Sequence, residues 1–272
     1  MNTVVAMHLF SALELLSGLI FFPLLFYICV SFLRRYKDTP IWKSRTLSDI
    51  DCYDISIKIV TAVYSLMTFA AGLISVLCLR NNDLVRDRFW LVSFWVCFGF
   101  GYYAYDSVMK PYCFGMDSNE RGGLRVLRSY SKNQPMMLTH HLLIMLVYYP
   151  TLLWFRNGKC DFLVGCFFLA ELTVPFIQIR HIMYRLGMTS LPQYLWNGVV
   201  MVITFFLSRI VVLFYIYYAY AQYRGVPVVR VFGLLPLRCN IGMLALISMQ
   251  LYWFGLMLKK FAKYVYSNGK EE

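Results

Sequence analysis

Seven long, nearly uncharged apolar runs leave this chain few ways to fold. They lie near residues 11–33, 56–79, 89–109, 137–155, 160–179, 198–221 and 239–258, and several approach or exceed the ~20 residues that carry a helix across the hydrocarbon core. In lipid every backbone N–H and C=O must be satisfied internally, so a spanning segment is either a helix or a strand of a closed barrel. Barrel strands read as short alternating segments. These runs are long and continuous, and they predict an all-α, polytopic transmembrane helical bundle of about seven spans. The composition agrees, at 60% hydrophobic and 15% charged over 272 residues; a soluble chain of this length carries more charge. The first run continues to Leu33, ends in Arg34 and Arg35, and follows no basic n-region, so it reads as a retained span rather than a signal peptide.

The net charge of +12 would suggest nucleic acid in a soluble protein. Here the basic residues sit between the apolar runs, where they orient the chain and meet anionic headgroups; nucleic acid is not an expected partner. Placing the N-terminus in the lumen puts sixteen Lys and Arg on the cytosolic side, among them Lys43, Arg45, Lys110, Arg185 and Lys270, and eight on the lumenal side. That bias predicts a lumenal N-terminus and a cytosolic C-terminus. The eight cysteines form no CxxC pair and no zinc-spaced cluster with histidine, so neither a disulfide framework nor a metal site is expected.

Ionisable groups inside a bilayer cost roughly 2.5–3.5 kcal/mol at the centre even on the mildest scale, so each must face the bundle interior or a polar cavity. The set is short: Glu14, Asp106, His140, His141, Glu171 and Arg209. Glu171 and Arg209 lie on antiparallel runs at similar depth; they read either as a structural pair or as contacts to a lipid headgroup or catalytic network. Asn197, Met201, Thr204 and Ser208 fall on one stripe at helical spacing, suited to interhelical hydrogen bonds or a cavity wall. Pro150 and Pro175 mark expected kinks. Most tyrosines at the span ends are explained by an interfacial aromatic belt, but Tyr102 and Tyr103 lie within a turn of Asp106 and are placed to reach its carboxylate or to line a pocket above it.

His140 and His141 open the fourth run about one turn in from the cytosol, and Asp106 lies about one turn before the cytosolic end of the third, so all three share a depth. Neighbouring helical residues point ~100° apart, so the two imidazoles cannot address one point equally. Histidine accepts a proton near neutral pH and can attack an activated acyl group; the alternative is a solvated interfacial pair. In the loop 110–136, helical structure after Gly123 would put Arg125, Arg128 and Lys132 on one face. That face suits either anionic headgroups or the phosphates of a coenzyme A thioester.

The His140–His141 pair, "YAYD" ending at Asp106, "DFLVGCFFLAELTVPF" (161–176), "WNGVVMVITFFLSRIVVLF" (196–214) and "MQLYWFGLMLKK" (249–260) together resemble the TLC-domain family, and most of all the TLC domain-containing protein 3 group. The resemblance covers roughly residues 50–262. It divides the chain into an N-terminal span and basic linker (1–49), a TLC-type lipid-binding domain (50–262) made of a six-helix core, and a cytosolic tail (263–272). It implies a multi-pass endoplasmic reticulum protein, with the Golgi a further site. The activity it implies is that of a ceramide synthase: N-acylation of a sphingoid base by long-chain acyl-CoA, with no cofactor beyond that co-substrate. In this scheme His140 or His141 is general base or forms an acyl-imidazole, and Asp106 orients the ring. Glu171, Arg209, Asn197, Tyr102 and Tyr103 shape the cavity, while Arg125, Arg128 and Lys132 hold the coenzyme phosphates. Where ceramide synthases carry a further His-Asp and acidic motif, this chain has "AELTVPF", with Glu171 and no histidine. A second function therefore stands beside the first: a non-enzymatic lipid-binding regulator of membrane composition, or an escort of membrane proteins. Membrane lipids are partners in either case, and homo- and hetero-oligomers are both open. A channel is disfavoured, since no ring of like charge lines any run.

Overall fold

A computed structural model describes the backbone of residues 2–37 and 47–268 and the side chains of 11–37 and 47–263. Lys43, Arg45 and Lys270, used above for orientation, lie outside the described residues, as does the predicted tail beyond 268. The described residues form α1 (Asn2–Tyr36), α2 (Asp49–Leu79), α3 (Trp90–Asp117), α4 (Gly123–Asn133), α5 (Pro135–Leu143), α6 (Asp161–Phe168), α7 (Val174–Arg185), α8 (Pro192–Phe205), α9 (Val212–Arg224), α10 (Val228–Leu234) and α11 (Leu237–Asn268). Among them there is no strand, and the expected all-α bundle is what the chain forms.

Among the described residues six segments are long and apolar enough to cross a membrane: Ser11–Tyr36, Asp49–Leu79, Pro135–Phe155, Asp161–Arg185, Pro192–Arg224 and Leu237–Lys263. The expected span at 89–109 is the exception. It forms α3, whose 28 residues rise ~42 Å at 1.5 Å each, enough for a ~30 Å core. Its apolar character is diluted by Gly99, Gly101, Tyr102, Tyr103, Tyr105 and Asp106, of which all but Tyr103 are buried within the protein. α3 is thus long enough to span, and its composition suits protein contact rather than lipid contact. The last helix also runs on to Asn268, well beyond the apolar run that ends near 258, because nothing in 259–268 breaks a helix.

The chain separates into two compact units. The first comprises residues 1–64, 88–159 and 181–189. Its α1 and α3 pack at backbone distance: a Cβ at Gly18 would strike the Phe98 carbonyl, and one at Gly101 would strike the Gly18–Leu19 backbone. Because lipid tails are as apolar as leucine, such close van der Waals approach through small residues is what holds spans together. Phe22, fully buried, sits in this seam with its ring 5.1 Å from Phe98 and 5.4 Å from Tyr102. Tyr102 stacks on Tyr64 at 3.8 Å. Outside the apolar zone, Arg185 bridges Asp51 at 2.6 Å and Asp117 at 2.8 Å.

The second unit comprises residues 65–87, 160–180 and 190–272. There Gly72 lets α2 approach α6, since a Cβ would lie 2.7 Å from the Gly165 carbonyl. Pro192 opens α8 at its first turn, where a missing N–H costs nothing, and Gly225 closes α9 at φ 62°, a left-handed position that glycine takes without strain. Phe205 stacks on Phe254 of α11 at 5.8 Å. Arg180 donates to the Tyr194 carbonyl at 2.9 Å, with its guanidinium 3.8 Å from that residue's ring.

Candidate functional site

Within the first unit α3 carries Asp106, buried completely, and α5 carries His141, buried to 8% exposure. The two meet: His141 Nε2 lies 3.2 Å from Asp106 Oδ2. The same oxygen accepts from Lys110 Nζ at 2.7 Å, one helical turn on, an (i, i+4) neighbour that helix geometry brings over the carboxylate. Asp106 Oδ1 is buried and has no hydrogen-bond partner among the described residues. An orphaned buried acceptor costs about 1–3 kcal/mol, and it offers a ready place for a donor to bind. On the other edge of the imidazole, Nδ1 lies 3.4 Å from Ser107 Oγ. The Tyr103 ring stands edge-to-face against His141 with centroids 6.1 Å apart. His140 is half-buried, its ring centroid 5.9 Å from that of His141; the geometry pairs Asp106 with His141.

A cleft of about 650 Å³ opens beside this group, walled by Ser107 and Tyr112 of α3, Arg121 in the turn that follows, and Val126 and Leu127 of α4. α4 is held close to α3 at Gly115, where a Cβ would lie 2.8 Å from Val126. Phe114 and Tyr130 meet there edge-to-face at 5.6 Å. Burial pushes the Tyr130 hydroxyl up to about 12, so it packs as a neutral group. The helix expected after Gly123 is α4; Arg125, Arg128 and Lys132 are exposed on it, while the basic side chain in the cleft wall is Arg121. Tyr102 donates to Thr61 at 3.1 Å.

Glu171, Arg209 and Asn197 belong to the second unit. Arg209 Nη2 lies 3.9 Å from Glu171 Oε1, and Ser65 donates to Glu171 Oε2 at 2.8 Å. Asn197 Nδ2 donates to the Phe176 carbonyl at 2.9 Å, and Ser208 meets Thr173 at 3.1 Å. Two members of the predicted stripe, Asn197 and Ser208, are therefore interhelical glue, while Thr204 bonds back to its own helix at Val200. The structure keeps the two predicted groups in separate units: Asp106 with the histidines and tyrosines in one, Glu171 with Arg209 and Asn197 in the other.

Sequence reasoning missed Lys110, Ser107 and Ser65. The first had a signal, since a lysine four residues after an intramembrane aspartate on one helix lies over it. Ser107 becomes visible once Asp106 and His141 are paired, because the residue after the aspartate borders the same imidazole. Nothing in the sequence points to Ser65. No solved structure matches the chain. A family model described as the TLC domain matches residues 54–259, most of the length, including Asp106, His140, His141, Glu171 and Arg209. The chain thus belongs to the TLC domain family, and its function is a membrane, lipid-related one.

Proposed function

We propose that this protein is an N-acyltransferase of the ceramide synthase type, most similar to the TLC domain-containing protein 3 group, acting in the endoplasmic reticulum membrane with its N-terminus lumenal. The observation that carries this reading is the buried Asp106–His141 contact of 3.2 Å beside a cleft large enough for part of a long-chain acyl-CoA. A sphingoid-base amine is mostly protonated at neutral pH and must lose a proton before it attacks a thioester. His141 is the general base, and Asp106 fixes its orientation and steadies the imidazolium. The unpartnered Asp106 Oδ1 is an acceptor for the amine. Arg121, with Arg125, Arg128 and Lys132 on α4, meets the coenzyme phosphates, and Glu171, Arg209 and Asn197 serve the lipid chains and headgroup.

One observation favours the non-enzymatic lipid regulator instead. Lys110 approaches Asp106 more closely than His141 does, at 2.7 Å against 3.2 Å, which neutralises the charge that the imidazolium would need. The assay that separates the two is transfer from radiolabelled long-chain acyl-CoA to sphinganine in reconstituted vesicles, with thermal stability measured in parallel. His141→Ala should lower amide formation by about 10²–10⁴, the usual worth of general-base catalysis, while the protein stays folded. His140→Ala should cost much less. Unchanged turnover in His141→Ala would sink the proposed base, and no turnover in the wild type would leave the lipid-binding reading.

A further inference from the structure

Ser107 stands between the cleft and the buried acid–base pair. It lines the cleft wall, its Oγ lies 3.4 Å from His141 Nδ1, and the opposite ring nitrogen lies 3.2 Å from Asp106 Oδ2. A neutral imidazole that donates from Nε2 to the carboxylate turns its Nδ1 lone pair toward the serine hydroxyl. Consecutive helical residues point ~100° apart, and here the imidazole bridges that angle, with one edge on Asp106 and the other on Ser107. We infer that Ser107 is the nucleophile of this site: it takes the acyl group from the thioester as a serine ester and hands it to the acceptor amine. The inference rests on the acyl-transfer reading above and deepens it.

Three observations favour the hydroxyl over the imidazole as the attacking group. Both ring nitrogens of His141 already face a neighbour. His141 does not line the cleft, whereas Ser107 does. The Ser–His–Asp order reproduces the relay that activates a weak hydroxyl nucleophile elsewhere, with the two ring nitrogens exchanging places. A 3.4 Å separation is long for an O–H···N bond, and in the resting site the hydroxyl also donates to Met145 Sδ at 3.4 Å; a thioether is a weak acceptor, and contacts to the base commonly tighten only when substrate is bound.

The steps balance. Ser107 Oγ bonds to the thioester carbonyl carbon while its proton passes to His141 Nδ1. The tetrahedral adduct collapses, the C–S bond breaks, and the coenzyme A thiolate leaves with that proton as the thiol. In the second half the ammonium first releases one proton to bulk water; the neutral amine then attacks the serine ester, and the extra proton on the new C–N nitrogen passes to Nδ1. The C–Oγ bond breaks, Oγ recovers the proton, and the amide is released. No oxidant, reductant or metal enters.

The test uses full-length protein in phosphatidylcholine vesicles and a long-chain alkyl fluorophosphonate, with peptide mapping by mass spectrometry. The expected result is a single phosphonylated residue, Ser107, in the wild type, no labelling in S107A, and labelling slowed about 10²-fold or more in H141A. A pulse of radiolabelled palmitoyl-CoA without acceptor should leave an adduct that resists neutral hydroxylamine, as a serine ester does and an acyl-imidazole does not. S107C, which keeps a nucleophile of nearly the same size, should form an adduct that neutral hydroxylamine removes; this excludes a folding defect as the cause of loss in S107A. Phosphonylation elsewhere, no phosphonylation of folded wild type, or an adduct on His140 or His141 would overturn the inference. Wild-type amide synthesis by S107A would overturn it too, and would leave the N-acyltransferase reading intact. A labelled Ser107 that gives no amide with any sphingoid base would uphold the nucleophile and refute that reading.

Discussion

Removing either charge from the Asp106–Lys110 pair should destabilise the first unit more than removing both. The Asp106 side chain is 1% exposed and that of Lys110 17%. Their direct attraction at 2.7 Å is about 6 kcal/mol at an effective dielectric of ~20, and most of it offsets the cost of taking both charges out of water. What a variant reads is the penalty for the charge left behind, about 3–5 kcal/mol for a buried pair that loses one partner. Lys110→Met strands Asp106 with only the longer contact to His141; Asp106→Leu strands the Lys110 ammonium, which can partly escape because it is the more exposed of the two. Lys110→Met should therefore be the costlier single change. The double variant Asp106→Leu with Lys110→Met should lie within about 1–2 kcal/mol of wild type, since neutral replacements of a buried pair are often tolerated. The assay is unfolding in mixed dodecylmaltoside–SDS micelles, with the four proteins arranged as a double-mutant cycle. A coupling below about 0.5 kcal/mol, the scatter expected of independent sites, would show that the two residues are not partners and would remove the structural reason for reading Asp106 as a charged member of the site.

The second unit supports a similar experiment on a looser pair. Arg209→Ala should lower folded yield, with a cost toward the lower end of ~3–5 kcal/mol because its contact to Glu171 is 3.9 Å long; Arg209→Met with Glu171→Leu should recover much of it, and a double variant no better than the singles would separate the two roles. Glycosylation acceptor tags should be modified at the N-terminus and unmodified at the C-terminus, following the two-to-one excess of Lys and Arg assigned to the cytosol; the reverse pattern would overturn the proposed orientation.

The spans were legible because hydrocarbon tolerates few charges, so apolar run length alone locates a helix. The Asp106–His141 meeting was legible for a related reason: counting turns from the ends of adjacent antiparallel runs fixes depth. What depth counting could not give is azimuth. It could not choose between His140 and His141, which differ by ~100° around α5, nor show that Lys110 and Ser107 border the same carboxylate and ring. The composition of α3 was readable but misleading. Its tyrosines suit an interfacial belt, yet Gly101 gives backbone-level packing against α1 and the Tyr102 ring packs on Phe22 there. On α2, Thr61 and Ser65 are buried, and their role emerges only when Tyr102 and Glu171 arrive as partners.

The irregular turns follow from the same accounting of backbone bonds. Pro175 has no N–H, so it cannot reach the Glu171 carbonyl as the fourth residue on from it would. Instead the Val174 N–H takes that carbonyl, and the chain tightens into a 3₁₀ turn over Leu169–Thr173. In an α-helix residues two apart diverge by about 160° around the axis, and at three residues per turn they diverge by about 120°. The tightening therefore swings Glu171 and Thr173 toward one side. Opposite them α8 runs into a π-helical turn, Phe206–Val211, where each residue advances by fewer degrees than in an α-helix and Ser208 and Arg209 likewise draw together. Two contacts join these distorted turns, Glu171 to Arg209 and Thr173 to Ser208. A regular α-helix through either segment would spread the polar side chains farther apart around the axis. The proline signals the first distortion in the sequence. The second has no such signal; it is held by the partners it meets, and Arg209, which the sequence sets beside Glu171 at similar depth, belongs with Glu171, Thr173 and Ser208 to a four-residue polar seam.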